Sequence, residues 1–190
     1  TVSEHPFINF HAHQQIPGDD EIVVHSLFLT EDLMAEPGNK IFFTSGLHPW
    51  HADKMKLDEI ESKLEKLIKE QKIIAVGETG LDKLKGADWE TQVEVFKIHA
   101  NVAEKFNLPL IIHSVRSHNE ILKLRLELKA KTPWVIHLFT GSNQLALDFI
   151  RHGFYLSLGY HIHSGKSKLS EYFHELPLEK IFFETDDFDV

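Results

Sequence analysis

Short apolar runs alternate with longer polar stretches along this chain. The runs are Phe7–Phe10, Ile22–Leu29, Lys40–Ser45, Ile73–Val76, Leu110–Ile112, Trp134–Ile136, Phe154–Leu158 and Lys180–Phe183. They are rich in Ile, Val and Phe and mostly do not alternate with polar residues, as strands covered on both faces should read. The stretches between them carry a helical period. In Asp53–Gln71 the residues Leu57, Ile60, Leu64, Leu67 and Ile68 share one face, with Glu and Lys elsewhere. Trp89–Phe106 repeats this with Val93, Phe96, Ala100, Ala103 and Phe106. Ser117 followed by Glu120 predicts a capping box for a helix running to Lys129, and Ser142 predicts a cap for a helix to Arg151. The link Thr30–Asn39 is too short and too punctuated by Pro and Gly for a full helix.

Strands alternating with helices imply parallel βα units, and eight strands is the number that closes a barrel. The expected class is α/β: a TIM-like (β/α) barrel of seven to eight parallel strands, with a doubly wound open sheet as the alternative. Nothing in 1–190 resembles a linker or a repeat, so one domain is expected. Barrels of this kind typically use about 250 residues. No helical pattern follows the eighth run, so the helix that should cover strands one and eight is expected beyond Val190.

Composition narrows the function. The net charge of −9 opposes broad attraction to nucleic acid or anionic lipid. The chain has no Cys, which excludes disulfides, thiolate ligands and Cys nucleophiles. No apolar run approaches the roughly 18 residues of a membrane span. The start, TVSEHPF, lacks a signal-peptide pattern and an initiator Met, so a processed N-terminus and a cytoplasmic location are expected. Against this ordinary background stand 14 His, the commonest metal ligand among side chains.

Their positions matter more than their number. His11 and His13 follow the first run, and residues i and i+2 of a strand point the same way. Glu78, His113, His137 and Asp186 each fall at or just after the end of another run. Any one alone is the ordinary polar residue where a strand meets its loop. Together they place six ligand-type side chains at the C-terminal ends of strands, the face where barrel enzymes build their sites. Four imidazoles and two carboxylates suit two divalent ions, Zn²⁺ or Mn²⁺ better than the oxygen-preferring Mg²⁺. Phosphate-binding P-loop, dinucleotide and serine-elbow motifs are missing. Thr140-Gly141-Ser142 opens a helix and is read either as a plain cap or as an anion contact. His161 and His163 read as loop residues or as substrate contacts.

The chain also resembles the TatD family of metal-dependent deoxyribonucleases, among the amidohydrolase-like barrels. The motifs are Phe7-Ile8-Asn9-Phe10-His11-Ala12-His13, Gly46-Leu47-His48-Pro49, Gly77-Glu78-Thr79-Gly80-Leu81-Asp82, Pro109 to His113, His137 to Ser142, and Glu184-Thr185-Asp186. The resemblance implies one metal on His11, His13 and Asp186, another on His113 and His137, and Glu78 bridging. It implies catalytic roles for Asp186 and Glu78, and His48 near a scissile phosphate. Arg116, with Lys83 and Lys85, is a candidate substrate contact. DNA or another phosphodiester is the implied substrate, with an amide, ester or lactone, or a metal kept only for stability, as alternatives. The chain departs from the pattern at Asn9, where an Asp is usual, at Gln14-Gln15, at Ser114-Val115-Arg116 and at Asp187-Phe188.

Overall fold

The computed structural model describes residues 6–13, 16–32, 36–165 and 167–186. Gln14-Gln15 and Asp187-Phe188 lie outside them. Eight parallel strands close a barrel in sequence order: β1 (Phe7–Ala12), β2 (Glu21–Phe28), β3 (Ile41–Gly46), β4 (Ala75–Asp82), β5 (Leu110–Val115), β6 (Trp134–Ile136), β7 (Phe154–Leu158) and β8 (Ile181–Phe183). The open-sheet alternative is therefore excluded, because β8 pairs back onto β1 through Asn9 and Phe183, with a further bridge between Ala12 and Asp186.

The helices are α1 (Leu57–Lys69), α2 (Trp89–Phe106), α3 (His118–Leu128), α4 (Asn143–Arg151) and the short α5 (Leu169–Tyr172). Their ends follow from local chemistry. Asp88 caps α2 by accepting from the Thr91 N–H at 3.0 Å, and Asn107 closes it in the left-handed region at φ 53°. Ser142 caps α4 through the Leu145 N–H at 3.3 Å. The box expected at Ser117 does not form. Its hydroxyl donates instead to the Leu81 carbonyl at 2.6 Å, tying α3 to β4, while Glu120 pairs with Lys83. The described parts of the link between β2 and β3 hold no helix.

Apolar packing divides into two layers. Between helices and barrel, Phe96, Trp134, Phe149 and Phe154 are wholly buried and meet ring to ring. Each such burial is worth roughly 1.5–3 kcal/mol. Inside the barrel Ala75, Ile111 and Val135 pack with the partly buried Phe10, Tyr155 and Phe182, forming an apolar floor. Two residues further along three of those strands stand His113, His137 and Glu184, so the alternation that aims apolar groups into the floor aims polar ones into the mouth.

Two strands break register where the site begins. The pairing of β1 slips between Asn9 and Ala12, and that of β4 between Val76 and Thr79. Such bulges re-aim side chains, here around His11 and Glu78. Gly77 makes the second possible. Its φ is +125°, and a Cβ there would lie 2.4 Å from the Ile111 carbonyl oxygen.

Candidate metal centre

His11, His13, Glu78, His113, His137 and Asp186, the six residues expected from sequence, converge at the C-terminal mouth of the barrel. Glu78 is at the centre. Its Oε2 lies 3.5 Å from His11 Nε2, while its Oε1 lies 2.9 Å from His113 Nδ1 and 2.8 Å from His137 Nε2. The two oxygens of one carboxylate thus face two donor sets. Asp186 Oδ1 completes the first, 3.7 Å from His11 Nε2 and 3.8 Å from His13 Nε2. Both His11–His13–Glu78 and His11–His137–Asp186 bring one donor atom per residue within 4.8 Å of one another, close enough to hold a divalent ion. His11 Nε2 is buried with no hydrogen-bond partner among the described residues. An unpaired buried nitrogen is costly, and a cation at the centre would satisfy it. The donor set fits divalent ions.

His48 joins from the loop after β3. Its Nε2 is 3.3 Å from both Glu78 Oε1 and His113 Nδ1, so His48–Glu78–His113 is a third possible ligand group. Its other nitrogen argues for a different use. The Trp50 N–H donates to His48 Nδ1 at 3.2 Å, so the proton of the neutral ring belongs on Nε2. That places a donor, rather than a lone pair, over the centre.

Burial and charge tune these groups. Burial pushes the Glu78 carboxyl up, but the charge of His137 and the close approach of the His11, His113 and His137 rings outweigh it and hold Glu78 well below the usual carboxylate range. Burial lowers His137, yet Glu78 and Glu184 raise it well above an ordinary imidazole. Asp186 is raised, chiefly by burial, with His137 and His11 opposing. His48 is lowered by burial, with Glu78 partly offsetting it.

A cleft of about 420 Å³ opens over the centre, lined among others by Phe28, Trp50, Thr140 and His161. His163 and the exposed Arg116 do not line it, and Lys83 and Lys85 stand on an adjoining surface pocket. Lys85 Nζ lies 3.4 Å from the Trp50 ring centroid. Asn9 is buried below His11, where its amide donates to Thr185 Oγ1 at 2.8 Å and its oxygen accepts from the Thr185 N–H at 3.0 Å. An ionised Asp could not donate, so the contact to Thr185 Oγ1 would have to reverse and the one from Asn9 Nδ2 to Glu21 Oε1, at 3.3 Å, would be lost.

Sequence reasoning missed three buried residues behind the centre. Glu184 accepts from His137 Nδ1 at 3.1 Å, and Asp82 Oδ2 lies 3.4 Å from His113 Nε2. Both were signalled by parity, Glu184 two residues after the inward Phe182 and Asp82 four after Glu78. His99 accepts from the Leu47 N–H at 2.9 Å, next to His48. A lone His on an apolar helix face gave no signal of that.

Fold and site together define an amidohydrolase-like (β/α) barrel with a His/carboxylate centre able to hold divalent ions. The chain belongs to the TatD-related DNase family, whose model matches residues 23–189. It is 33% identical over 162 residues to the uncharacterized metal-dependent hydrolase YjjV of Escherichia coli K12, covering 80% of this chain and 60% of the relative. A Buchnera aphidicola uncharacterized metal-dependent hydrolase, BU355, is 31% identical over 156 residues, covering 78% and 59%. The chain thus spans about three fifths of the length of these relatives. The crystal structure of YjjV, a TatD homolog, superposes with a TM-score of 0.79 at 26% identity, covering 94% of this chain and 78% of that one. A TatD-family hydrolase from Entamoeba histolytica shares the fold, with a TM-score of 0.74 at 19% identity, covering 97% and 74%. Among the described residues no helix is long and apolar enough to cross a membrane.

Proposed function

We propose that this protein hydrolyses phosphodiesters, with the end of a DNA strand as the preferred substrate, at a two-metal centre held by His11, His13, Glu78, His113, His137 and Asp186. The observation that carries this reading is the split of Glu78, with Oε2 toward His11 and Oε1 toward His113 and His137. A carboxylate so placed would hold a divalent ion with each of its oxygens, as a two-metal centre requires. Bound there, the ions would acidify water and offset charge on the oxygens being displaced. The choice of DNA draws on the family to which the chain belongs.

The chain's own residues supply the rest. Glu78, ionised and enclosed by imidazoles, keeps the two donor sets in register. Asp186, its carboxyl raised by burial, accepts the proton of the attacking water. His48 offers Nε2–H to a non-bridging phosphate oxygen. Phe28 and Trp50, both partly exposed at the cleft, provide aromatic surface for a base, a form of contact that tolerates the negative net charge. Arg116, exposed and off the lining, would reach only a substrate that extends past the rim.

A panel of phosphodiester, amide and lactone substrates, each assayed with Mg²⁺, Mn²⁺ and Zn²⁺, tests this. Turnover of the phosphodiester that disappears on chelation and returns with metal is the expected result. Turnover of only the amide or lactone would move the protein to another hydrolase class. Undiminished activity in verified metal-free protein would end the two-metal reading.

A further inference from the structure

Of the three histidines that face Glu78 Oε1, the two nearest, His113 and His137, are each backed by a buried carboxylate. His137 directs Nε2 to Glu78 and Nδ1 to Glu184 Oε1, at 2.8 and 3.1 Å. His113 is turned the other way, with Nδ1 to Glu78 at 2.9 Å and Nε2 to Asp82 Oδ2 at 3.4 Å. The inward nitrogens, Nε2 of one ring and Nδ1 of the other, lie 3.5 Å apart.

We propose that Glu184 and Asp82 are positioning residues that select the ring nitrogen each histidine offers to a divalent ion, Nε2 for His137 and Nδ1 for His113. The inference rests on the reading of His113 and His137 as metal ligands. A neutral imidazole carries one N–H and one lone pair. An acceptor behind the ring fixes the N–H outward and leaves the lone pair inward, and it also makes the ring more basic toward metal. The group behind His48 has the opposite sense, a backbone donor from Trp50, which leaves the proton inward. The sign of the outer partner thus sorts three neighbouring histidines into two ligands and one donor.

The two carboxylates are built for a fixed position. The Glu184 side chain is wholly buried, and its Oε2 has no hydrogen-bond partner among the described residues. A buried carboxylate is expensive without a polar partner, and the His137 Nδ1–H, at 3.1 Å from Oε1, holds it in place. Asp82 accepts the Trp50 indole N–H at 2.8 Å through Oδ2, and the Leu84 and Lys85 N–H groups at 2.8 and 3.1 Å through Oδ1. Its own N–H donates to the buried Gln92 side chain at 2.8 Å. These bonds leave the carboxylate little freedom to turn away from His113.

The test compares wild type with Glu184→Gln and Asp82→Asn, which keep shape and remove charge. Zn²⁺ stoichiometry and affinity are measured by chelator competition, with melting of the metal-free proteins as the control for folding. Wild type should hold two ions. Each variant should bind one of them roughly 10–100-fold more weakly, the other unchanged. Ring ¹⁵N shifts of the Zn²⁺-loaded wild type need no variant. They should show His137 metallated at Nε2 and protonated at Nδ1, and His113 the reverse. Wild-type affinity at both sites in both variants, or metal on the opposite nitrogens, would overturn the proposal. A wild type that binds no divalent ion would remove the ligand reading itself, a distinct result that takes this inference with it.

Discussion

Asp186 stands in the left-handed backbone region at φ 55°, which Asn enters at low cost. Asp186→Asn should therefore keep the local chain path while losing the basic oxygen. Turnover should fall by about 10²–10⁴-fold, with metal content falling much less. Glu78→Gln should lose both together, since both donor sets face this one side chain. Metal analysis beside phosphodiesterase kinetics distinguishes the two, and wild-type turnover by Asp186→Asn would assign the base elsewhere. Away from the centre, His99 is wholly buried and its pKa is lowered to about 4 by desolvation, against a hydrogen bond to the Val95 carbonyl. The unfolded chain takes up this proton near its ordinary value of 6.5, the folded chain only near 4. Stability from keeping His99 neutral is full above the higher value and is lost as pH falls between the two, by roughly 3 kcal/mol in all. His99→Gln should flatten that part of the pH profile in urea unfolding. An unchanged slope would show that His99 is protonated in the fold. The six ligand-type residues were legible because each ends an apolar run. His99 was not, because its meaning depends on which amide another loop brings against it, and the parity of Asp82 and Glu184 gave their direction but not the ring each would back.

At the scale of elements, β6 and β7 coincide with their apolar runs, and α2 matches its period from end to end. β4 does not. Its run suggested Ile73–Val76, but the strand is Ala75–Asp82 and is buried throughout. Glu, Gly and Asp do not read as strand, and here the inward positions are given to chemistry. The extension depends on close approach to β5. A Cβ on Gly80 would lie 1.9 Å from the His113 carbonyl oxygen. Gly80→Ala should force the two strands apart just where they present Glu78 and His113. We expect destabilisation on the order of 1–3 kcal/mol or more in denaturant unfolding, with weaker metal binding. Wild-type stability and affinity would mean that the strands can part without moving either side chain. The capping box at Ser117 misled for a related reason: a tertiary acceptor, the Leu81 carbonyl, outcompeted the local helix donor.

For the whole molecule, the pattern of runs was enough to suggest parallel closure, because every βα repeat that returns to the same side adds the next strand in order. What it could not show was how narrow the closing contact is. β1 and β8 meet through Asn9 and Phe183, the Ala12–Asp186 bridge, and backbone bonds from Asp186 N–H to the His11 carbonyl at 3.0 Å and from His13 N–H to the Asp186 carbonyl at 3.4 Å. The donors of the first set straddle that line. His11 and His13 belong to the first strand and its exit, and Asp186 follows the last, so their meeting closes nearly the whole of the described chain into one loop. Such contacts carry a high entropic cost and form late when sequence separation governs folding speed. The centre's first half therefore cannot exist before the ends of the barrel have met, whereas Glu78, His113 and His137 come from three consecutive strands and can gather earlier. An ion captured across the seam would act as a clasp, making completion of the site and completion of the fold one event.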